Sequence, residues 1–405
     1  MKSVLFITST YPYGIGESFI EEELKHLSKK FRIDVLPTYP RGKIDNHKKT
    51  LINSISGELL NLKLFSLVYF VHLTCFTLLN FKVLCKLVNM CFCGSFDKTL
   101  RNLVLIPKAV YFYRMYMQSK NYDFIYSHWL SAPAQFSMLL NELSGIKFGV
   151  TSHRWDIVDN NNIELKVEKS SFIRVISNKS LKLFPSDVLK KFNYKLHTIY
   201  LGINCYDGKY TRVLTSKPVY NGICIASLTP VKGHTYLLRS IKALKDKGFN
   251  IKMKFLGEGV LHKELLELTS NLGLVEQVDF LGNLEHSRVI DLLSSKEVDF
   301  VCLPSLDLGN GLHEGVPVSL MEAMSFSIPC ISTNTGSINE LINSKVNGIL
   351  VPDKDDHKLA TAIELILSDS ELYSMISTNA LRTIESKFNS SKCNEALIEI
   401  IENSI

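Results

Sequence analysis

Short apolar runs recur along this chain, each followed by a loop and a helical pattern, and the series starts twice. The first series falls at 4–8, 33–36, 124–126, 148–151, 172–176 and 197–200. The second begins at Gly222-Ile223-Cys224-Ile225-Ala226 and continues at 252–256, 278–281, 299–303 and 330–333. Continuous apolar runs of this length are strands covered on both faces, and their alternation with helices calls for a parallel sheet between helical layers. Between the series lies 205–221, polar and turn-rich (Asp207-Gly208, Pro218, Asn221-Gly222), which reads as the linker. A chain of 405 residues exceeds one ordinary core, and two domains of roughly 200 residues each are the natural division. The expected architecture is α/β, two Rossmann-like doubly wound domains over 1–205 and 206–385, with a C-terminal helical pattern from about 380 to 405. In such folds ligands bind beyond the carboxyl ends of the strands.

Composition narrows the function. The formal charge is +6, with no block of like charges and no basic-aromatic interleaving, which argues against nucleic acid as a partner. Nine cysteines show no CxxC pair, and Cys224, Cys302 and Cys330 lie within strand-like runs. They read as reduced core residues of a cytoplasmic protein. After Met1-Lys2-Ser3 the apolar run is too short for a signal peptide and reads as a buried strand.

One segment breaks the rhythm. Residues 64–81 carry no charge, while Lys63, Lys82, Lys86, Lys98, Arg101, Lys108 and Arg114 flank or follow them. Three readings stay open for this insertion, about 58–120: a buried helical hairpin, an interfacial element on anionic headgroups, or a transmembrane span. Insertion across a bilayer would cut the first domain in two.

The residues that carry chemistry cluster late in the chain. Gly311-Leu312-His313-Glu314-Gly315-Val316-Pro317 leads into Val318-Ser319-Leu320-Met321-Glu322-Ala323-Met324. The pattern sets one carboxylate in a loop and a second on the following helix, with Gly315, Val316, Pro317 and Val318 at the helix start. Free N–H groups and a positive dipole end there suit an anion, and an ionised carboxylate suits a ribose diol. A polyhydroxylated anion such as a sugar nucleotide fits the set; a solvated loop glutamate and a surface helix glutamate are the bland alternative. Lys232-Gly233 follows the first strand of the second domain, where a lysine can neutralise a diphosphate. His128 and His153 both follow strands of the first domain, either as cleft residues or as satisfied core histidines. Asp156 orients a sugar hydroxyl or caps a helix. Gly14 and Gly16 open the first helix, as a phosphate-approaching loop or a plain turn. No metal is called for: the DxD at Asp353-Lys354-Asp355 reads as a solvated helix start.

These motifs resemble the retaining glycosyltransferases of the GT-B fold, group 1 or GT4. The likeness is carried by Glu314-Gly315-Val316-Pro317, Glu322-Ala323-Met324, Ile328-Pro329, Glu340-Leu341-Ile342 and Asn347-Gly348-Ile349-Leu350-Val351. Lys232-Gly233 matches the family's phosphate-contacting lysine, and Gly202-Ile203-Asn204 its Gly-Val-Asp element. The run 16–24, His128 and Thr151-Ser152-His153…Asp156 are similar to members that build bacterial surface polysaccharides. The resemblance implies two domains facing across a cleft, with the C-terminal helix, 386–405, crossing back to the first domain. It further implies transfer of a hexose-type sugar from a UDP- or GDP-sugar to a glycan acceptor, lipid-linked given the basic apolar insertion. The enzyme would be peripheral on the inner face of the cytoplasmic membrane, an anionic surface. On this reading Lys232 and the helix start at Val318 take the diphosphate, Glu322 the ribose, and Glu314 with His153 the donor sugar. Departures are local. Ser227 stands where the family has arginine, leaving Arg154 or another base to compensate on the diphosphate; Ser327 replaces a glycine, and Ser337 and Asn339 a glycine and a proline. A catalytically silent sugar-nucleotide binder and a nucleotide-sugar 2-epimerase are the rival readings; loss of the arginine at Ser227 favours the former, and the basic apolar insertion disfavours the latter.

Overall fold

The computed structural model describes residues 1–14, 17, 20–44, 46–55, 57–206, 212–309 and 311–405. Gly16 and the Asp207-Gly208 turn lie outside the described residues. The chain divides into two compact units, Met1–Leu201 with Ser390–Ile405, and Gly202–Asn389.

In the first unit, β1 (Ser3–Thr8), β2 (Arg32–Pro37), β3 (Phe124–His128), β4 (Phe148–Ser152), β5 (Phe172–Val175) and β6 (Leu196–Thr198) form a parallel sheet. Its order is β2-β1-β3-β4-β5-β6. The chain runs one way from β1 to β2 and then the other way from β3, so the switch point lies between β1 and β3. In the second unit, β7 (Tyr220–Ile225), β8 (Ile251–Leu256), β9 (Val278–Gly282), β10 (Phe300–Leu303), β11 (Cys330–Thr333) and β12 (Ile349–Val351) repeat the plan. The order there is β12-β11-β10-β7-β8-β9, again parallel, with its switch between β7 and β10. Both sheets are Rossmann-like, and each switch point opens a crevice between loops that leave in opposite directions. Cys224, Cys302 and Cys330 are buried in β7, β10 and β11, and burial pushes the Cys224 thiol up to about 12. They are packing groups.

The returning helix differs from expectation in one respect. The sequence suggests a single helix from about 380 to 405, whereas the structure has two, Ser370–Lys387 in the second unit and Ser390–Ser404 in the first. The break has a backbone cause: Ile203 N donates to Phe388 O (2.9 Å), and Asn389 pairs with Ile203 in an isolated bridge. Beyond it, Leu397, Ile398 and Ile401 pack with Ile20, Leu24 and Leu27 of the helix Ile20–Leu27.

The insertion folds as helices Leu67–Asn89, Phe96–Leu103 and Ile106–Phe112, with one π-turn at Tyr113–Met117. Lys108 is fully buried beneath them. Its Nζ donates to Pro37 O (3.1 Å), Thr38 O (3.0 Å) and Leu62 O (3.1 Å), stitching the insertion to the exit of β2. Burial pulls its pKa down to about 7, yet three carbonyls match the three N–H groups of an ammonium, one more than a neutral amine can serve. Lys108→Met is therefore expected to cost about 3 kcal/mol, because three buried acceptors lose their donor. Urea unfolding followed by tryptophan fluorescence reads this cleanly, since both tryptophans, Trp129 and Trp155, lie in the first unit. An unchanged midpoint would show that the carbonyls find other donors.

Candidate active site

The switch point of the second unit is built from three loops. After β7 a 3-10 turn, Pro230–Lys232, ends at Gly233 and the helix His234–Asp246 begins. Gly233 has φ +69°, and a Cβ there would lie 1.9 Å from Pro304 O, so only glycine lets the first loop lie against the second. Leu306 N donates to Val231 O (2.7 Å), which fixes that approach. After β10 the loop from Pro304 carries Glu314, and the helix Val318–Ser325 follows. Pro317 takes the cap position (φ −73°, ψ 121°) rather than the first helical turn. After β11, Gly336 (φ +50°) passes under the second loop so closely that a Cβ would sit 1.8 Å from Glu314 O. Ser337 N donates to that same carbonyl (3.3 Å), and Thr335 Oγ1 donates to Ser305 O (3.3 Å).

These loops join Lys232 and Glu314. The Lys232 ammonium donates to Glu314 Oε2, and Ser305 Oγ lies 3.4 Å from the same oxygen. Both partners are mostly shielded, with side-chain exposures of 20 % and 16 %. Glu322, on the first turns of the helix Val318–Ser325, contacts His286 Nε2 through Oε1 at 2.8 Å. Gly315, Val316 and Pro317 are half-buried or buried and Val318 is exposed at the helix start. Ser227 is exposed, its hydroxyl 3.4 Å from that of Thr229. Ser327 lies at the exit of the helix Val318–Ser325, buried and with φ +56°. Its place is a left-handed turn that favours glycine, before β11 rather than at the loops that carry Lys232 and Glu314. Asp355 caps the helix Asp356–Ser368 by accepting from Lys358 N (2.9 Å), and Asp353 accepts from Asp307 N (3.0 Å).

The first unit carries a buried polar chain at the ends of β3 and β4. Glu23 is 3 % exposed and Arg174 is 1 % exposed. Arg174 Nη1 donates to Glu23 Oε2, and the guanidinium also holds Ile199 O (3.0 Å) and Tyr200 O (2.8 Å). Tyr126 donates to Glu23 Oε1 (3.0 Å), His128 Nδ1 lies 3.2 Å from it, and His128 Nε2 lies 2.8 Å from His153 Nε2. His128 is thus a fully buried histidine whose two ring nitrogens each face a partner. Burial, reinforced by His128 and Arg174, holds His153 well below the ordinary histidine pKa, so its ring is neutral; Trp129 stacks on it at 4.1 Å. Asp156 Oδ2 accepts from Leu130 N (3.0 Å) and His153 N (3.1 Å), the capping role, and burial pushes its carboxyl up to about 6. Arg154 is buried with its guanidinium over the Trp155 ring at 4.3 Å. Gly14 (φ +72°) sits in the loop after β1, its N–H on Lys43 O (3.0 Å).

Glu23 is a buried site-side residue that the sequence analysis did not single out. Glu23 is three residues past Ile20 and one before Leu24, on the apolar face of its helix, and that phase was the available signal. Arg174, a charge inside the four-residue buried strand Phe172–Val175, was a second. His286 carried no signal in the sequence; only the fold brings it to Glu322.

Residues 219–383 match the family model described as glycosyl transferases group 1. The chain has the GT-B fold, and it is similar to these enzymes over its second unit. It is 30 % identical over 181 residues to the putative colanic acid biosynthesis glycosyltransferase WcaL of Escherichia coli K12, covering 44 % of each chain. It is 33 % identical over 181 residues to the amylovoran biosynthesis glycosyltransferase AmsK of Erwinia amylovora, again covering 44 % of each. The chain therefore aligns with less than half the length of these relatives. The crystal structure of Anabaena Alr3699/HepE in complex with UDP superposes with a TM-score of 0.70 at 17 % identity, over 100 % of both chains, which shows the shared fold. Among the described residues no group of three or more His, Cys, Asp or Glu is arranged to hold a metal ion.

Proposed function

We propose that this protein transfers a hexose-type sugar, with retention, from a nucleoside-diphosphate sugar to a lipid-linked glycan acceptor in surface-polysaccharide synthesis. The observation that carries this is the convergence of Lys232 and Glu314 at the switch point of the second unit, beside the helix bearing Glu322. The colanic acid and amylovoran biosynthesis ascribed to WcaL and AmsK, and the UDP held by the HepE structure, support the same reading.

The chemistry follows from charge. The anomeric C–O bond to the diphosphate breaks, the acceptor oxygen bonds the same carbon on the same face, and the acceptor's proton passes to the leaving phosphate. Negative charge grows on the diphosphate, so a lysine and a helix N-terminus placed there stabilise the transition state more than the ground state. Lys232 and the N–H groups at Gly315–Val318 take that role, Glu322 accepts from the ribose diol, and Glu314 accepts from the donor sugar. In the first unit, His153 is assigned to the sugar. His128 positions it, and Asp156 holds the strand-end loop.

The test is a screen of UDP- and GDP-sugars by thermal shift and nucleoside-diphosphate release. Glu322→Ala is expected to weaken binding of the preferred donor by about 10- to 100-fold, because the ribose hydroxyls lose a charged acceptor. Equal binding by wild type and Glu322→Ala, or no binding across the panel, would defeat the assignment.

A further inference from the structure

The helix Leu67–Asn89 is inverted relative to a soluble helix. It buries Tyr69, Phe76 and Leu87, which fall on one line, and the opposite face should then be polar. Instead that face exposes Leu67 (85 %), Val71 (61 %), Leu78 (82 %), Leu79 (84 %) and Phe81 (65 %). Phe92, Phe96 and Leu100 continue the exposure just beyond the helix. An apolar surface of this extent on a folded unit marks an interaction site.

Charge identifies the occupant. Across 58–120 the acids are Glu58 and Asp97, against eight lysines and arginines. Glu58 pairs with Lys120, and Asp97 pairs with Arg101. Lys63 and Lys82, before and within the helix, have no carboxylate partner among the described residues. Lys86 and Lys98 pair outside the insertion, with Glu142 and Asp159, and Lys108 is buried; exposed apolar side chains beside the unpaired Lys63 and Lys82 suit a bilayer with anionic headgroups. A second copy of the chain would bring the same cations face to face, since a two-fold contact pairs each patch with itself.

The packing also sets the mode. Leu73, Val83, Leu84 and Val88 rest against the core of the first unit. Tyr69 packs tilted against Tyr111 (ring centroids 4.7 Å apart), Tyr69 OH donates to Lys63 O (3.0 Å), and Arg114 Nη1 donates to His72 O (3.1 Å). Spanning a membrane would strip all of these contacts. A kink at Asn80 (φ −135°, ψ 39°) divides the uncharged stretch from the turns bearing Lys82 and Lys86. We infer that the helix Leu67–Asn89 lies flat in the headgroup–acyl boundary of an anionic bilayer, held by its buried face to the first unit and inserting Leu67, Val71, Leu78, Leu79 and Phe81. This deepens the proposed function, in which the acceptor is lipid-linked, by naming the surface that brings the enzyme to it.

The full chain is floated with vesicles of phosphatidylcholine alone and with 30 % phosphatidylglycerol. Binding to the anionic vesicles is expected, weakened several-fold by 0.5 M NaCl. Leu78→Glu/Leu79→Glu should lower it at least tenfold with Tm unchanged, since both side chains are exposed. Lys63→Ala/Lys82→Ala should lower binding to the anionic vesicles alone. Equal flotation of a folded Leu78→Glu/Leu79→Glu variant and wild type overturns the proposal. So does a self-associating wild type that ignores vesicles, which would make the patch an interface between copies. Retention in the bilayer after carbonate extraction overturns the flat mode in favour of a span. Donor binding by thermal shift is recorded on the same variants; its loss in wild type would fail the transferase reading and leave the vesicle result standing.

Discussion

Lys232→Ala is expected to lower turnover by about 10²- to 10³-fold, the effect of removing one preorganised charge from a developing oxyanion. Donor affinity should fall far less, because the lysine is most needed as the diphosphate departs. The structure adds a second expectation. Lys232 is paired with Glu314, so a bound diphosphate must share or displace that carboxylate. Glu314→Gln removes the competitor. It should tighten binding of the free nucleoside diphosphate several-fold while still lowering turnover, because the sugar hydroxyl then meets a neutral amide in place of a charged carboxylate. Opposite signs on product affinity and rate would separate this geometry from a Glu314 that only props the loop. Lys232→Arg should not restore activity: a planar guanidinium cannot occupy the position of a compact ammonium held by two loops. Steady-state kinetics with the preferred donor, together with calorimetric titration of the nucleoside diphosphate, give both quantities. Wild-type turnover in Lys232→Ala would remove the lysine from the mechanism.

The second large effect is on stability. Arg174→Met should destabilise the first unit by about 3–5 kcal/mol, because it strands a buried carboxylate and two backbone carbonyls. That corresponds to a fall of roughly 10 °C in the midpoint followed by tryptophan fluorescence. Glu23→Leu/Arg174→Met should recover part of the loss, since no charge is then left unpaired. Acid titration provides an independent check. Burial raises the Glu23 pKa, but the charges of Arg174 and His128 outweigh it and bring the carboxyl down to about 2 from its ordinary value of 4.5. A depressed folded-state pKa means stabilisation that is fully present above about pH 4.5 and is lost as the pH falls through about 2. The shift is worth roughly 3 kcal/mol at neutral pH. Wild type should therefore lose stability steeply across that window, and the double variant should not. Parallel acid profiles would show that the pair contributes nothing specific.

How much of this was legible in the sequence differs by element. The strands were, because a strand buried on both faces must be continuously apolar, and 223–225 or 301–303 admit little else. The phosphate-side motif was also legible, since Gly233 is a backbone requirement that fixes residue type. The polar chain Glu23–Arg174–His128–His153 was only half visible. Its histidines follow strands, but Glu23 hides in a run of three glutamates, and only its helical phase with Ile20, Leu24 and Leu27 marks it as the one that turns inward. The Glu322–His286 contact joins residues 36 apart on different elements, and no local pattern encodes such a meeting. Ser327 was visible as a departure, yet its meaning needed the backbone: a left-handed φ at a helix exit explains why glycine is preferred there.

The first unit is discontinuous along the chain, and this bears on how it is made. Helix Ser390–Ser404 supplies Leu397, Ile398 and Ile401 to a core begun by Ile20 and Leu24. A nascent polypeptide cannot close the first unit until the whole of the second has been made. Until then the inner face of the helix Ile20–Leu27 stays open to solvent, a substrate for chaperones. The half of the protein made first is thus sealed only after the other half exists.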